Sequence, residues 1–223
     1  MAIAFFDIDH TIIPAHTAEK IFFLYLLKKG KISIANIFRV IIFFLKNIFF
    51  NPTKAILQNK RYLTNHDINS TIKLAADCFC KNIKNKISPE AINRINWHLQ
   101  KNDKVVLLSG NLFFLADFMK DYLHCHDYIA TQMQIKNNKF LGFINGLHPY
   151  HEAKKILLKQ YIKEQLLEKE KVYCYADSIA DVSFLACADY PFAVNASGAL
   201  RKIAQENKWP LLNFPKPQKK ITR

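Results

Sequence analysis

The chain has 223 residues, half of them apolar, and a formal net charge of +14. Its length suits one domain, or one domain with a sizeable insert, and its five Gly and eight scattered Pro leave no room for a long flexible linker. The positive field draws anions such as phosphorylated metabolites or acidic lipid; without a nucleic-acid-binding motif, nucleic acid is not expected as a partner.

Residues 2–7 form a short apolar run that ends in carboxylates and reads as a buried central strand. From residue 14 to about 100 the pattern is helical only. Thr17 caps a helix that runs to Lys29 and stops at Gly30. Ser88-Pro89-Glu90 opens another, with a cap, Pro at the first position and an acid in the first turn. This pattern predicts a helical cap over 14–100, set into an α/β core made of 1–13 and 101–223.

Lys104-Val-Val-Leu-Leu-Ser109 and Lys171-Val-Tyr-Cys-Tyr-Ala-Asp177 repeat the form of the first strand, and 190–195 is a fourth candidate. Helical patterns follow over 112–123, 179–188 and 198–207. Residues 128–135 and 139–144, joined by Asn137-Asn138, read as a β-hairpin. Strands alternating with helices predict a doubly wound parallel sheet, in which ligands bind beyond the carboxyl ends of the strands.

Residues 32–50 are about long enough to span a bilayer, but Arg39 near the middle and Lys46 oppose that reading. At 100° per residue, Ser33, Asn36, Arg39, Lys46 and Asn47 share one arc and the rest is Ile, Phe, Leu and Val. The segment is therefore expected as an amphipathic helix packed in the cap bundle. Contact with an anionic membrane surface, or with a second copy, is the alternative.

Cys78, Cys80, Cys125, Cys174 and Cys187 are an odd set without zinc-type spacing, and His124-Cys125-His126 reads as a surface turn rather than a metal site. Asp7 and Asp9 interrupt the first apolar stretch, so no signal peptide is expected. Both features point to the reducing cytoplasm.

Four pieces carry chemistry. Asp7-Ile-Asp9-His10-Thr11 places two carboxylates at the tip of the first strand, where one can act as a nucleophile beside a cation and the other as an acid and base. Ser109-Gly110-Asn111 offers a hydroxyl and backbone N–H groups to a phosphate oxygen, although an ordinary helix cap looks the same. Asp177-Ser178-Ile-Ala-Asp181 sets two acids four residues apart at another strand tip. Hard oxygen ligands from Asp7 and Asp177 are what Mg²⁺ prefers. Lys154, in His151-Glu-Ala-Lys154-Lys155, opens a helix and gains meaning from the other three.

In this order the segments DIDHT, LLSGN, HEAKK and YADSIADVSFL resemble the four motifs of the haloacid dehalogenase superfamily. The helical insert resembles its phosphoserine-phosphatase-like branch, as does the stretch from Tyr173 through Asp189 and Asn195 to Leu212. The resemblance implies a Rossmann-like core and a Mg²⁺-dependent phosphatase acting on a small or amphiphilic phosphorylated metabolite. It implies Asp7 as nucleophile and Asp9 as general acid and base. The metal would be held by Asp7, the backbone carbonyl of Asp9, and Asp177. Phosphate would be bound by Ser109 and Lys154, with Thr11, Gly110 and Asn111 beside them. Asp181 and Ser178 would stand behind this set, Asp181 orienting Lys154 or a metal-bound water. Neighbouring branches leave two alternatives: a lipid-phosphate phosphatase of phosphatidylglycerophosphatase type at the membrane surface, and a non-catalytic phosphate-binding module. Two departures bear on the substrate. His10 stands where relatives carry Gly or another small residue. The glutamate that reads the ammonium of phosphoserine aligns with His16, with Glu19 a turn further on.

Overall fold

The computed structural model describes residues 1–218, and of residues 53 and 54 the backbone alone; positions 219–223 of the basic tail lie outside the described residues. The chain forms the expected mostly parallel α/β sheet. Its central strand β1 (Ala2–Phe6) lies between β2 (Lys104–Leu112) and β5 (Lys171–Ala176), with Phe6 opposite Leu107 on one side and Tyr175 on the other. Outside β2 come β3 (Asp127–Lys136) and then β4 (Lys139–Asn145); outside β5 come β6 (Tyr190–Val194) and β7 (Leu211–Leu212). Only β3 and β4 pair antiparallel. Their turn is Asn137-Asn138, at φ 49° and 59°, the left-handed values a tight hairpin turn uses and Asn tolerates. The chain leaves β1 toward β2 on one side and later returns to β5 on the other. The crevice beyond β1 is therefore the topological switch point of the sheet.

Alternation along β1 sends Ala4 and Phe6 to one face, Ile3 and Phe5 to the other, and two hydrophobic cores form. On the first face lie α1 (Ala18–Lys28), α4 (Ile68–Cys78), α5 (Pro89–Gln100) and α6 (Phe113–Leu123). On the second lie α7 (Glu152–Glu164), α8 (Val182–Leu185) and α9 (Gly198–Glu206). Although α5 falls inside the helical stretch 14–100, it packs directly on the sheet. Arg94 Nε donates to the Tyr175 hydroxyl at 2.8 Å, and His98 Nε2 meets the same oxygen at 2.8 Å. The tertiary anchor, rather than the helical pattern, decides to which layer α5 belongs.

Local signals mostly hold. Thr17 caps α1 by accepting the Lys20 amide, and Gly30 follows the helix at φ +63°. The Ser88 hydroxyl, however, donates to Glu90 Oε2 instead of capping. β2 runs three residues beyond Ser109, with a shift of register against β3. Residues 179–188 form no single helix: a 3₁₀ turn over Ile179–Asp181 leads into the short α8. At the His-Cys-His turn, Cys125 is buried and His126 Nδ1 accepts the Val105 amide. All five cysteines are free.

The helix α2 (Ile34–Asn47) overturns the expectation that its apolar face packs inward. Asn36 is buried, donating from Nδ2 to the carbonyls of Tyr62 and Thr64 at 3.0 Å each, and Arg39 donates to Asn36 Oδ1 at 2.6 Å. Those bonds hold the Asn36 side of the helix against residues 61–64. Ile34, Phe38, Ile42 and Leu45 are left exposed, and beyond the helix Phe49 and Phe50 are 87% and 92% exposed. A short helix α3 (Pro52–Leu57) packs against α2. Among the described residues no helix is long and apolar enough to cross a membrane.

Candidate active site

Strand tips and two helix starts deliver the polar residues to one crevice. Asp7 follows β1 directly, its amide donating to the Tyr175 carbonyl at 2.9 Å, so β5 fixes where the carboxylate emerges. Asp177 follows β5, Asp181 closes the 3₁₀ turn before α8, and Lys154 lies in the first turn of α7. Lys154 Nζ stands 3.0 Å from Asp7 Oδ1 and 2.9 Å from Asp181 Oδ1. One oxygen from each of Asp7, Asp177 and Asp181 lies within 4.8 Å of the others. Three buried or partly buried carboxylates around one ammonium leave a local excess of negative charge, which a cation would offset.

The Asp9 side chain lines the same crevice but is held by the start of α1 and by β2 rather than by Lys154. Its Oδ1 accepts the Ala18 amide at 2.9 Å, and the Asn111 side chain also bonds it. Asn111 further accepts the Glu19 amide at 3.2 Å and donates to Ser109 Oγ at 3.0 Å. One amide side chain thus ties β2 to the start of α1. Thr11 is fully buried and donates to Asp177 Oδ1 at 3.0 Å. Thr11 thus bonds Asp177 and Asn111 bonds Asp9, Ser109 and the start of α1, and neither lines the crevice. Ser109 and Gly110 do face the crevice, and Ser178 accepts the Ala180 amide at 3.1 Å, capping the turn that carries Asp181.

Burial pushes Asp7 up to about 8 against the pull of Lys154, with Asp181, Asp177 and Asp9 adding to the rise. Burial also raises Asp177, to about 6, despite the Thr11 hydrogen bond. Asp9 is raised by burial in spite of its bonds from Asn111 and Ala18, which favours its protonated form. Burial works against the Lys154 charge, but Asp7 and Asp181 override it and hold the ammonium above its usual range.

The crevice opens into a cavity of 720 Å³. Asp7, Asp9, Ser109, Lys154 and Asp177 line one end of it, and Phe23, Val40, Ile41, Phe44, Ile56 and Tyr62 line the other. Sequence reasoning missed a trio here in which two members are buried. Lys60, 3% exposed, pairs with Glu19 Oε2, and the Tyr62 hydroxyl donates to Glu19 Oε1 at 2.9 Å. The partners stand more than 40 residues apart in sequence and no local pattern links them. Glu19, rather than the aligned His16, lines the cavity. His148 was also missed. Thr131 donates its hydroxyl hydrogen to the Gly110 carbonyl at 2.8 Å, so His148 Nδ1, 2.8 Å from the same hydroxyl, is the protonated nitrogen. Burial pushes this imidazole down to about 3. His10 takes a left-handed backbone at φ 58°, which explains why a glycine suits the position, and its carbonyl accepts Asn195 Nδ2 at 2.9 Å.

Residues 4–186 match the haloacid dehalogenase-like hydrolases. The chain belongs to that family. It is 24% identical over 221 residues to a probable phosphatase of Mycobacterium tuberculosis, covering 96% of this chain and 76% of the relative. It is 29% identical over 132 residues to a histidinol-phosphatase of Neisseria meningitidis, covering 57% and 60% respectively. Among solved structures, a Bordetella pertussis protein of unknown function superposes with a TM-score of 0.85 at 22% identity, over 96% of this chain and 99% of the other. A probable phosphoserine phosphatase of Vibrio cholerae superposes at 0.71 with 15% identity, over 96% and 61%. The chain is a hydrolase of this family, and its fold is the one seen in phosphoserine phosphatases.

Proposed function

We propose that this hydrolase is a Mg²⁺-dependent phosphomonoesterase that works through phosphorylated Asp7. The observation that carries the reading is the convergence of Asp7, Asp177 and Asp181 around Lys154 at the switch point of the sheet. Hard carboxylate oxygens suit Mg²⁺, and one oxygen from each of the three acids lies within 4.8 Å of the others. Asp7 and Asp177 would hold the ion with the Asp9 carbonyl, and Asp181 is close enough to join them. When bound, the ion neutralises charge on the phosphoryl oxygens.

The chain's own residues do the rest. Lys154 neutralises further charge, and Ser109 with the backbone at Gly110 supplies hydrogen bonds to the transferring group. An Asp7 oxygen forms a bond to phosphorus as the bond to the leaving oxygen breaks. Asp9, whose burial favours the protonated form, hands its proton to that oxygen. A water then attacks the phosphorus, Asp9 takes its proton, and inorganic phosphate leaves with Asp7 restored. The free thiols fit a reducing cytoplasm.

The test is hydrolysis of para-nitrophenyl phosphate with and without Mg²⁺, for the native chain and Asp7→Asn. Metal-dependent turnover lost in the variant is expected. Turnover unchanged by chelation, or full activity in Asp7→Asn, would sink the mechanism.

A further inference from the structure

The outward face of α2 and the apolar end of the cavity are one surface. Ile41, Phe44 and Ile56 line the cavity and are also exposed, while Phe38, Phe49 and Phe50 continue the patch outside. A soluble surface rarely leaves so many large apolar side chains contiguous unless something covers them. Charge says what covers them. Residues 20–66 contain no carboxylate and nine Lys or Arg, among them the exposed Lys28, Lys29, Lys31 and Lys46. Two such faces would repel one another, which argues against a second copy of the chain, whereas an anionic lipid surface attracts them. An amphipathic helix with a wide apolar face and flanking basic residues is the form that lies in a bilayer interface.

The cavity wall adds the substrate. Glu19 is the one carboxylate at its apolar end, and Lys60 and Tyr62 occupy both of its oxygens. Its charge is already answered by the Lys60 ammonium, which leaves it a weaker partner for a substrate ammonium. The remaining wall there, from Phe23 through Phe44 to Ile56, suits hydrocarbon.

We propose that the α2–α3 face seats on an anionic bilayer, and that the cavity receives the hydrocarbon tail of an amphiphilic phosphomonoester whose phosphate reaches Asp7. This rests on the phosphatase reading above and names its substrate class.

Two measurements test it. The first compares kcat/KM for a series of straight-chain alkyl phosphates with that for para-nitrophenyl phosphate, all below their aggregation concentrations. Efficiency should climb with chain length by up to about fourfold per methylene buried, then level off when the cavity is full. Para-nitrophenyl phosphate turned over with no dependence on alkyl length overturns this inference alone. If no phosphomonoester is turned over, the catalytic reading has failed instead. The second measurement is flotation with phosphatidylcholine vesicles, with and without phosphatidylglycerol. Binding should require the anionic lipid and weaken with salt. It should drop at least tenfold in Phe49→Ser/Phe50→Ser, whose melting temperature should be unchanged because both side chains are exposed. No binding to anionic vesicles, or a dimer that the double variant disperses, would overturn the docking assignment.

Discussion

The hydroxyl of Thr11 donates to Oδ1 of Asp177 at 3.0 Å, joining the turn after β1 to the tip of β5 across 166 positions of sequence. The bond orients a carboxylate that burial otherwise drives toward its neutral form. Thr11→Val keeps the shape and removes the donor. Mg²⁺ affinity, measured by titrating activity against free metal, should fall about 10- to 100-fold, the usual cost of losing a partner behind a ligand.

Lys154 neutralises two acids at once, and it is itself buried. In Lys154→Met, Asp7 and Asp181 keep their burial and lose their counter-charge. Stripping one partner from a buried ion pair costs about 3–5 kcal/mol. Denaturant unfolding should show a loss of that order, together with abolished turnover.

Asp7 carries the opposite expectation. Its carboxylate is buried near those of Asp181, Asp177 and Asp9, and Lys154 keeps Asp181 as a partner when position 7 loses its charge, so the ionised group opposes folding. Asp7→Asn should inactivate the enzyme yet raise unfolding free energy in EDTA by at least about 1 kcal/mol, the equivalent of a single pKa unit. A melting temperature below that of the native chain would contradict the charge assignment.

His148 sets an acid limit. A histidine in an unfolded chain titrates near 6.5, whereas burial pushes this one down to about 3. Below pH 6.5 the unfolded chain takes up a proton that the native imidazole refuses, so this contribution to stability is complete above 6.5 and drains away as pH falls toward 3. His148→Gln should show a shallower loss of stability between pH 6.5 and 4 than the native chain. Parallel curves would contradict the buried neutral imidazole.

The sequence made the sheet and its catalytic edge readable, because both rest on short-range patterns. Apolar runs with polar tips gave β1, β2 and β5, and those tips placed Asp7, Ser109 and Asp177. What it hid was set by distant partners. The arc containing Asn36 and Arg39 was visible, but only the carbonyls of Tyr62 and Thr64 decide that Asn36 turns inward while Arg39 and Lys46 stay exposed. The bonds of Thr11 to Asp177 and of Asn111 to the Glu19 amide were equally hidden, because the fold brings those partners together. Lys60 had no local signal at all, because its meaning comes from Glu19, 41 positions earlier. The helical pattern of 179–188 failed where the Ser178 cap tightens the chain into a 3₁₀ turn.

The side chains to which the proposed reaction is assigned follow β1 and β5 or lie on β2 and α7, while the apolar wall of the cavity comes almost wholly from residues 23–62. A descendant lineage can therefore rebuild that wall, and so change which molecule it dephosphorylates, without disturbing a single inherited catalytic atom. Under the proposed mechanism, the four aspartates would set how such an enzyme cuts, and the residues of that wall would set what it cuts.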